Sequence, residues 1–167
     1  QELHHQWYEG SPDYTALENH WHIALFRVGS ADGGTPTSDW IDVDLNNTTE
    51  SDHKTSCGIR ELTEGSGAGT LWCWGAGVGR GSAVPVQVGE DGSWASVEVG
   101  EDHACALKSD GTLWCWGVGG SGALGLGVGA PSADNPTQVG DAADWISVDA
   151  GSDITCGIRD YPSEGVD

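Results

Sequence analysis

One block of sequence recurs along the chain and limits how it can fold. A Trp-x-x-Val segment followed by Asp or Glu begins at three tryptophans that are 54 and 51 residues apart: Trp40, Trp94 and Trp145. Each copy continues with CGIR or CALK, and the first two copies go on to TLWCWG, a glycine-rich loop and a P-x-Q-V-G segment. A unit repeated at this period cannot bury its apolar faces alone, so the fold must arise from packing successive units together.

Each unit contains four short β-segments separated by turn residues. In the LWCW segment at 71–74, Leu71 and Cys73 point to one face of the strand, and Trp72 and Trp74 point to the other. A strand that is apolar on both faces must be covered on both sides. The blades of a β-propeller provide this cover, because each blade lies between two neighbours. The sequence therefore predicts an all-β fold made of propeller blades, each with four antiparallel strands.

The repeat positions divide the chain into units. We predict two full blades and a front half-blade, at 40–93, 94–144 and 145–167. Residues 1–39 are interpreted as a degenerate back half-blade, because LFRVG at 25–29 precedes Trp40 as PVQVG precedes Trp94, and QWYEG at 6–10 resembles LWCWG. An unrelated N-terminal extension remains the alternative. Two full blades and two half-blades give an incomplete ring.

Five cysteines indicate two disulfides. No C-x-x-C pair is present, which argues against a zinc site. If residues 109–111 form a three-residue loop with Gly111 left-handed, Cys105 lies opposite Cys115 in a non-hydrogen-bonded pair, where side chains approach closely. Cys57 and Cys73 have the same relation around a loop that is six residues longer, and Cys156 has no partner in its own hairpin. Disulfides predict an extracellular location, with the periplasm as the alternative, and reduced buried cysteines in a cytosolic protein remain possible.

The charge is strongly negative. The chain has 26 acidic and six basic residues, for a formal net charge of −20. Such a surface repels phosphate backbones and anionic lipid headgroups, and no run of 18 apolar residues is present. The sequence therefore argues against nucleic-acid binding and membrane insertion.

The order of motifs resembles the regulator of chromosome condensation repeat family. The resemblance rests on W-x-x-V-x-x-G-x-x-H-x-C-A-L-x-x-D-G-T-L-W-C-W-G followed by P-x-Q-V, which runs through 94–140. Residues 40–89 match with the loop insertion, and 145–159 match the first third. The resemblance implies a seven-bladed β-propeller, and the cysteine-rich DGTLWCWG version is similar to secreted bacterial members.

Other motifs are weak. GVGGSG at 117–122 matches a nucleotide-binding pattern, but the sequence after it is too rich in glycine to form the required helix. Glu18, His20 and His22 would share one face of a strand, without a fourth metal ligand, and a calcium loop starting at Asp42 lacks the later Gly and Glu. Asn46 and Asn47 begin glycosylation sequons, which would place them in an exposed loop if the host is eukaryotic. We predict that the chain is not an enzyme and that it binds neither a cofactor nor a metal ion.

Two functions remain. The first is a non-enzymatic extracellular module that binds or scaffolds another protein, whose identity the sequence does not reveal. The second is a self-assembling subunit of a filament or oligomer, in which Trp7 and Tyr8 of one chain pair with the strand of Cys156 and Ile158 in a neighbour. An enzyme is the third alternative. As an alternative to self-assembly, sequence outside this chain would supply the missing blades. The start at Gln1 is interpreted as that of a processed or truncated chain whose targeting segment is gone.

Overall fold

The computed structural model describes residues 40–46, 54–63, 65–79, 81–120, 122–127, 130 and 132–160. In this part of the chain there are ten β-strands and one short 3-10 helix, Gly77–Gly79. The strands are β1 Trp40–Leu45, β2 Thr55–Glu61, β3 Gly69–Gly75, β4 Ser82–Gln87, β5 Trp94–Val99, β6 His103–Lys108, β7 Leu113–Val118, β8 Ser132–Gln138, β9 Trp145–Ala150 and β10 Thr155–Arg159. All strand pairs are antiparallel. The predicted all-β fold is confirmed.

The strands pair in three groups. Strands β1 to β4 pair in chain order, as do β5 to β8, while β9 pairs with β10 alone among the described strands. We call these groups the first blade, the second blade and the half-blade. One bridge, Gly69 to Trp94, joins the first two groups, and the described sheets do not close into a ring. The division into domains at 40–93, 94–144 and 145–167 stays a prediction, and residues 1–39 lie outside the described part.

The β6–β7 hairpin has the register that its turn requires. Gly111 N donates to Lys108 O at 2.9 Å, and Lys108 N donates to Thr112 O at 3.0 Å. Gly111 has a φ of +80°, a conformation that glycine adopts without strain. This turn places Cys105 opposite Cys115. Cys57 lies opposite Cys73 in the same way, because the longer β2–β3 loop adds its residues at the tip and leaves the ladder unchanged.

The core lies between blades rather than within one sheet. One buried cluster joins the first blade to the second through residues that include Cys57, Ile59, Leu71, Trp94 and Val97. A second cluster joins the second blade to the half-blade through residues that include Cys105, Leu107, Leu113 and Val148. We call the side of a blade that packs on the next blade its forward face, and the opposite side its rear face. Each blade is therefore stabilised by its neighbours.

The expectation of an exposed loop at Asn46 is wrong. The Asn46 side chain is buried, its Nδ2 donates to Glu101 O at 3.0 Å, and its Oδ1 accepts from Thr55 N at 2.9 Å. The amide thus ties the end of β1 to β2 and to the β5–β6 turn. A glycan on Nδ2 would have to displace these contacts, so the burial of Asn46 argues against a glycan at this position. Asn47 lies outside the described residues.

Candidate interaction surface

The described chain contains the same blade-to-blade junction twice. In the first junction, Trp94 and Val97 on the rear face of β5 pack on the forward face of the first blade. In the second, Val148 of β9 packs on the forward face of the second blade, with Trp145 beside it. In these two junctions, the Trp-x-x-Val repeat is therefore the part of a blade that docks on the blade before it.

Carboxylates complete the first junction. Asp42 Oδ2 accepts from Val97 N at 2.7 Å, and Asp44 Oδ2 accepts from Val99 N at 2.6 Å. Strands β1 and β5 do not share a backbone ladder, so these amides would otherwise lack a protein acceptor at this edge. Asp42 and Asp44 of the first Trp-x-x-Val segment thus connect β1 to β5 of the next blade.

Burial and the neighbouring charges raise the pKa of two of these acids. Burial is the larger cause at Glu98, and together with the negative charges of Asp44, Asp42 and Asp149 it raises the pKa of Glu98 to about 7. Burial also raises the pKa of Asp42, although the hydrogen bond from Val97 N opposes this shift. The innermost strands therefore carry a column of acidic groups in which one carboxyl holds its proton near neutral pH.

We expect Glu98→Gln to stabilise the protein at pH 8 and to change little at pH 5. The ordinary pKa of a glutamate in an unfolded chain is 4.5, so between that pH and about 7 the folded state binds more protons than the unfolded state. The contribution of protonated Glu98 to the free energy of unfolding is therefore lost as the pH rises from 4.5 to about 7. A permanently neutral Gln should raise the free energy of unfolding by about 1 kcal/mol at pH 8. This value allows for solvent screening of a half-exposed group.

Urea unfolding at both pH values measures this effect, with Glu90→Gln at an exposed site as the control. An equal stability change at pH 5 and pH 8 would contradict the assignment to Glu98.

Each of the three cysteine segments ends in a basic residue. Arg60, Lys108 and Arg159 are half of the six basic residues in the chain, and each lies three positions after a cysteine. Sequence reasoning did not single out these residues, although their shared position was a usable signal. The structure shows their role at Lys108 and Arg159.

Both cations lie over the first tryptophan of their blade. Lys108 Nζ is 4.9 Å from the ring centre of Trp94 and 4.0 Å from that of Trp114, and it is 2.5 Å from Asp91 Oδ2. Hydrogen bonds from Lys108 and, after it, from Ser93 lower the pKa of Asp91 to about 2. Such cation–π contacts hold the tryptophan rings in place.

The half-blade repeats the arrangement. The Arg159 guanidinium is 5.4 Å from the ring centre of Trp145, and it forms a bidentate pair with Asp144 at 2.6 and 2.9 Å. Its hydrogen bond also lowers the pKa of Asp144. The tryptophan of the half-blade is thus fixed in the same way as that of a complete blade.

The forward face of the half-blade is uncovered among the described residues. Ile154 and Ile158 are 62% and 60% exposed, whereas their repeat equivalents His103 and Leu107 are 1% and 6% exposed. Cys156 and Asp149 are cross-strand neighbours on the same face and are also exposed. We call Asp149, Ile154, Cys156 and Ile158 the open face.

The outer edge of β10 belongs to the same surface. In the two complete blades, the equivalent strands β2 and β6 pair along that edge with β3 and β7. Within the described part of the chain, β10 pairs only with β9. An extended backbone edge beside an exposed apolar face is a template for strand addition.

The second blade holds the half-blade through a buried histidine. His103 Nε2 lies 2.8 Å from Thr155 Oγ1, and Cys105 Sγ lies 3.6 Å from the same hydroxyl. Burial lowers the pKa of His103, so the ring stays neutral at neutral pH. This polar contact accompanies the apolar packing of Val148 and helps to define the angle between the two units.

The remaining predicted site residues are placed as follows. The Sγ atoms of Cys57 and Cys73 lie 2.15 Å apart and those of Cys105 and Cys115 lie 2.12 Å apart, which is disulfide distance, while Cys156 is a free, exposed thiol. Trp7, Tyr8, Glu18, His20 and His22 lie outside the described residues.

In the described ranges no group of three or more His, Cys, Asp or Glu side chains is arranged to hold a metal ion. No helix in the same ranges has the length and apolar character needed to cross a membrane.

Comparisons with known proteins agree with this architecture. Residues 94–123 and residues 110–158 match two family models, both described as the Regulator of chromosome condensation (RCC1) repeat. Among solved structures, the chain is similar to Prp20p from Saccharomyces cerevisiae at 22% identity, with a TM-score of 0.51 over 66% of this chain and 30% of that chain. It is also similar to a chain in the structure of Kap60 bound to yeast RCC1 (Prp20), at 20% identity, with a TM-score of 0.50 over 64% of this chain and 28% of that chain. No curated protein sequence matches it.

These similarities concern the fold and the repeat. The chain spans less than a third of the length of the two solved chains that it matches. The resemblance to RCC1 repeats is confirmed over residues 94–158, and the described strands have the fold of part of an RCC1-like β-propeller, in sheets that do not close into a ring.

Proposed function

We propose that this chain is a non-enzymatic, extracellular module that binds or scaffolds another protein through the open face and the outer edge of β10. One observation carries the proposal. Positions that are buried by a following blade in the two complete blades are exposed in the half-blade, as Leu107 and Ile158 show. A surface that has the pattern of an interface and that no described strand covers is a binding site for a protein segment.

Two features support the extracellular location. Two cysteine pairs lie at disulfide distance, and such bonds persist in oxidising compartments. The sequence version with DGTLWCWG is also similar to secreted bacterial members of the family.

The net charge of −20 favours a soluble surface and disfavours nucleic acid as the partner.

The chemistry of the surface favours an extended protein strand. A partner strand along β10 would pair its backbone with the outer edge and place alternate apolar side chains beside Ile154 and Ile158. A cysteine at the position opposite Cys156 could then form a disulfide, as the register does at Cys105 and Cys115. The similar Prp20p is described with binding properties to Gsp1p and histones, which supports protein binding in a protein of this fold without identifying the partner of this chain.

A peptide with the sequence of β7 tests the proposal. The probe KSDGTLWCWGV reproduces residues 108–118, which contain the strand that pairs with β6. In a glutathione redox buffer, we expect the full chain to form a mixed disulfide between Cys156 and the peptide cysteine, with oxidised glutathione reduced in exchange. Intact-protein mass spectrometry would measure the adduct, and Ile158→Asp should lower its yield about tenfold, since one buried aliphatic contact is worth about 1.5 kcal/mol.

Two controls separate recognition from simple thiol reactivity. Ile146→Asp changes an exposed isoleucine of the same hairpin outside the open face and should leave the yield unchanged. A peptide with the same composition in scrambled order should react far less. If the scrambled peptide forms as much adduct as the β7 peptide, Cys156 is merely an exposed thiol and the proposed site is wrong.

Self-assembly is a second candidate function. The observation that favours it is that the described chain exposes apolar positions at both of its ends, on the open face and around Val43 of β1. In this proposal, Trp7 and Tyr8 of a neighbouring chain complete the half-blade by pairing with β10. A head-to-tail contact of this kind builds a larger closed ring or a filament.

A further inference from the structure

We propose that copies of this chain stack head to tail, with the Trp40–Val43 side of β1 in one copy covering the open face of another. This inference rests on the second candidate function and specifies the contact that would carry it. It differs from strand completion by Trp7 and Tyr8, because the contact is made by blade faces rather than by a strand edge.

The two junctions inside the chain show which surfaces fit together. In both of them, a forward face that contains cysteine and Ile or Leu receives a Trp-x-x-Val segment from the next blade. The open face has the part of this composition that comes from the cysteine strand, with Cys156 and Ile158 at the positions of Cys105 and Leu107. Its expected occupant is therefore another Trp-x-x-Val strand.

The uncovered Trp-x-x-Val strand in the described chain is β1. Val43 is 42% exposed, whereas Val97 and Val148, at the same repeat position, are buried. Trp40 is already held as Trp145 is held in the docked half-blade. A Cβ on Gly58 would lie 2.8 Å from Trp40 Cζ3, and one on Gly157 would lie 2.5 Å from Trp145 Cζ3. Glycine at both positions lets the indole lie flat on the neighbouring strand, so the rear face of β1 has the shape of a docked blade.

The backbone of β1 also presents the matching donor. In the second blade, Val99 N donates to Asp44 of the preceding blade, and the next amide, Gly100 N, donates to His103 O of its own blade. In β1, Leu45 has the repeat position of Val99, and Asn46 has that of Gly100. Asn46 N likewise donates within its own blade, to Thr55 O. By strand alternation, Leu45 N points away from β2. Asp149, at the repeat position of Asp44, should accept from Leu45 N of the second copy.

Charge sets the conditions for stacking. Each copy carries a formal net charge of −20, and the junction would bring Asp149 close to Asp42 and Asp44 of the second copy. Repulsion between exposed charges is screened over about 10 Å at 0.1 M salt but over about 3 Å at 1 M salt. We therefore expect stacking at high ionic strength and separate copies at low ionic strength.

A complementation experiment with the full chain tests the contact. Val43→Asp blocks the β1 side, Ile158→Asp blocks the open face, and Val84→Asp adds the same charge to exposed β4 as a control. In about 1 M salt, light scattering over a concentration series should show assembly of the wild type and of Val84→Asp. Each blocked variant alone should stay at the mass of one chain, and their equimolar mixture should reach twice that mass and no more, because one usable junction remains.

The outcomes separate this inference from the functions on which it rests. Assembly of Val43→Asp like the wild type, or a wild type that stays at the mass of one chain, would overturn stacking through β1. Capture of the β7 peptide at Cys156 would still stand in either case. A chain truncated before Ser11 should keep assembling if the faces carry the contact, and its loss of assembly would assign the contact to Trp7 and Tyr8 instead. Val43→Thr keeps the side-chain shape and should weaken association several-fold. This variant tests the same position in case the charged variant misfolds.

Discussion

Val148→Asp is expected to release the β9–β10 hairpin from the second blade while β1 to β8 stay folded. Val148 is buried beside Cys105, Leu107 and Leu113. An unpaired carboxylate among these apolar groups costs several kcal/mol, more than a two-stranded hairpin can recover by itself. Hydrogen exchange should show loss of amide protection at Thr155–Arg159 and retained protection in β6 and β7.

Ile146→Asp provides the matched control, because it introduces the same charge two residues away at a position of β9 that is exposed. It should leave the protection pattern unchanged. Equal loss of protection in the two variants would mean that charge anywhere on β9 disrupts the hairpin, and that packing of Val148 does not hold it.

Replacing Cys105 and Cys115 together with alanine is expected to lower the free energy of unfolding by about 3 kcal/mol. The bond would close a loop with a sequence separation of 10 residues, and its removal enlarges the unfolded ensemble. For a chain of this size the loss corresponds to a fall in Tm of about 6–12 °C. Thermal unfolding followed by tryptophan fluorescence would measure it, with Cys156→Ser as a control that should unfold like the wild type.

Non-reducing peptide mapping of the wild type must accompany that measurement. We expect linked peptides for Cys57–Cys73 and Cys105–Cys115, and a free thiol at Cys156. A link between Cys57 and Cys105, or four free thiols, would contradict the pairing. A reductant should then lower the Tm of the wild type by more than the double substitution does, because it removes both bonds.

Local spacing was enough to predict the strands and their register. The Asp110-Gly111 turn requires one pairing of β6 with β7, and that pairing places Cys105 opposite Cys115. Such features depend on residues close together in sequence, where turn geometry and side-chain alternation leave few options. The repeat likewise predicted which strands belong to one blade, because four apolar segments in about 50 residues can pair in chain order with short connections.

Contacts between blades were not predictable in the same way. Asp42 and Asp44 begin only a weak calcium motif in the sequence, yet in the structure they accept from Val97 N and Val99 N, 55 residues further along the chain. Asn46 was expected in an exposed loop and is instead buried against Glu101.

The sequence by itself determined the β-strand repeat, the hairpin register and the acidic surface, since these follow from residue order and composition. Only the tertiary structure decided which face of each blade is covered. CGIR occurs at 57–60 and again at 156–159, yet Ile59 is fully buried and Ile158 is exposed. The difference comes from the neighbour: a second blade packs on Ile59, whereas no described strand packs on Ile158. Burial depends on what lies across the interface, and an identical local sequence carries no information about that.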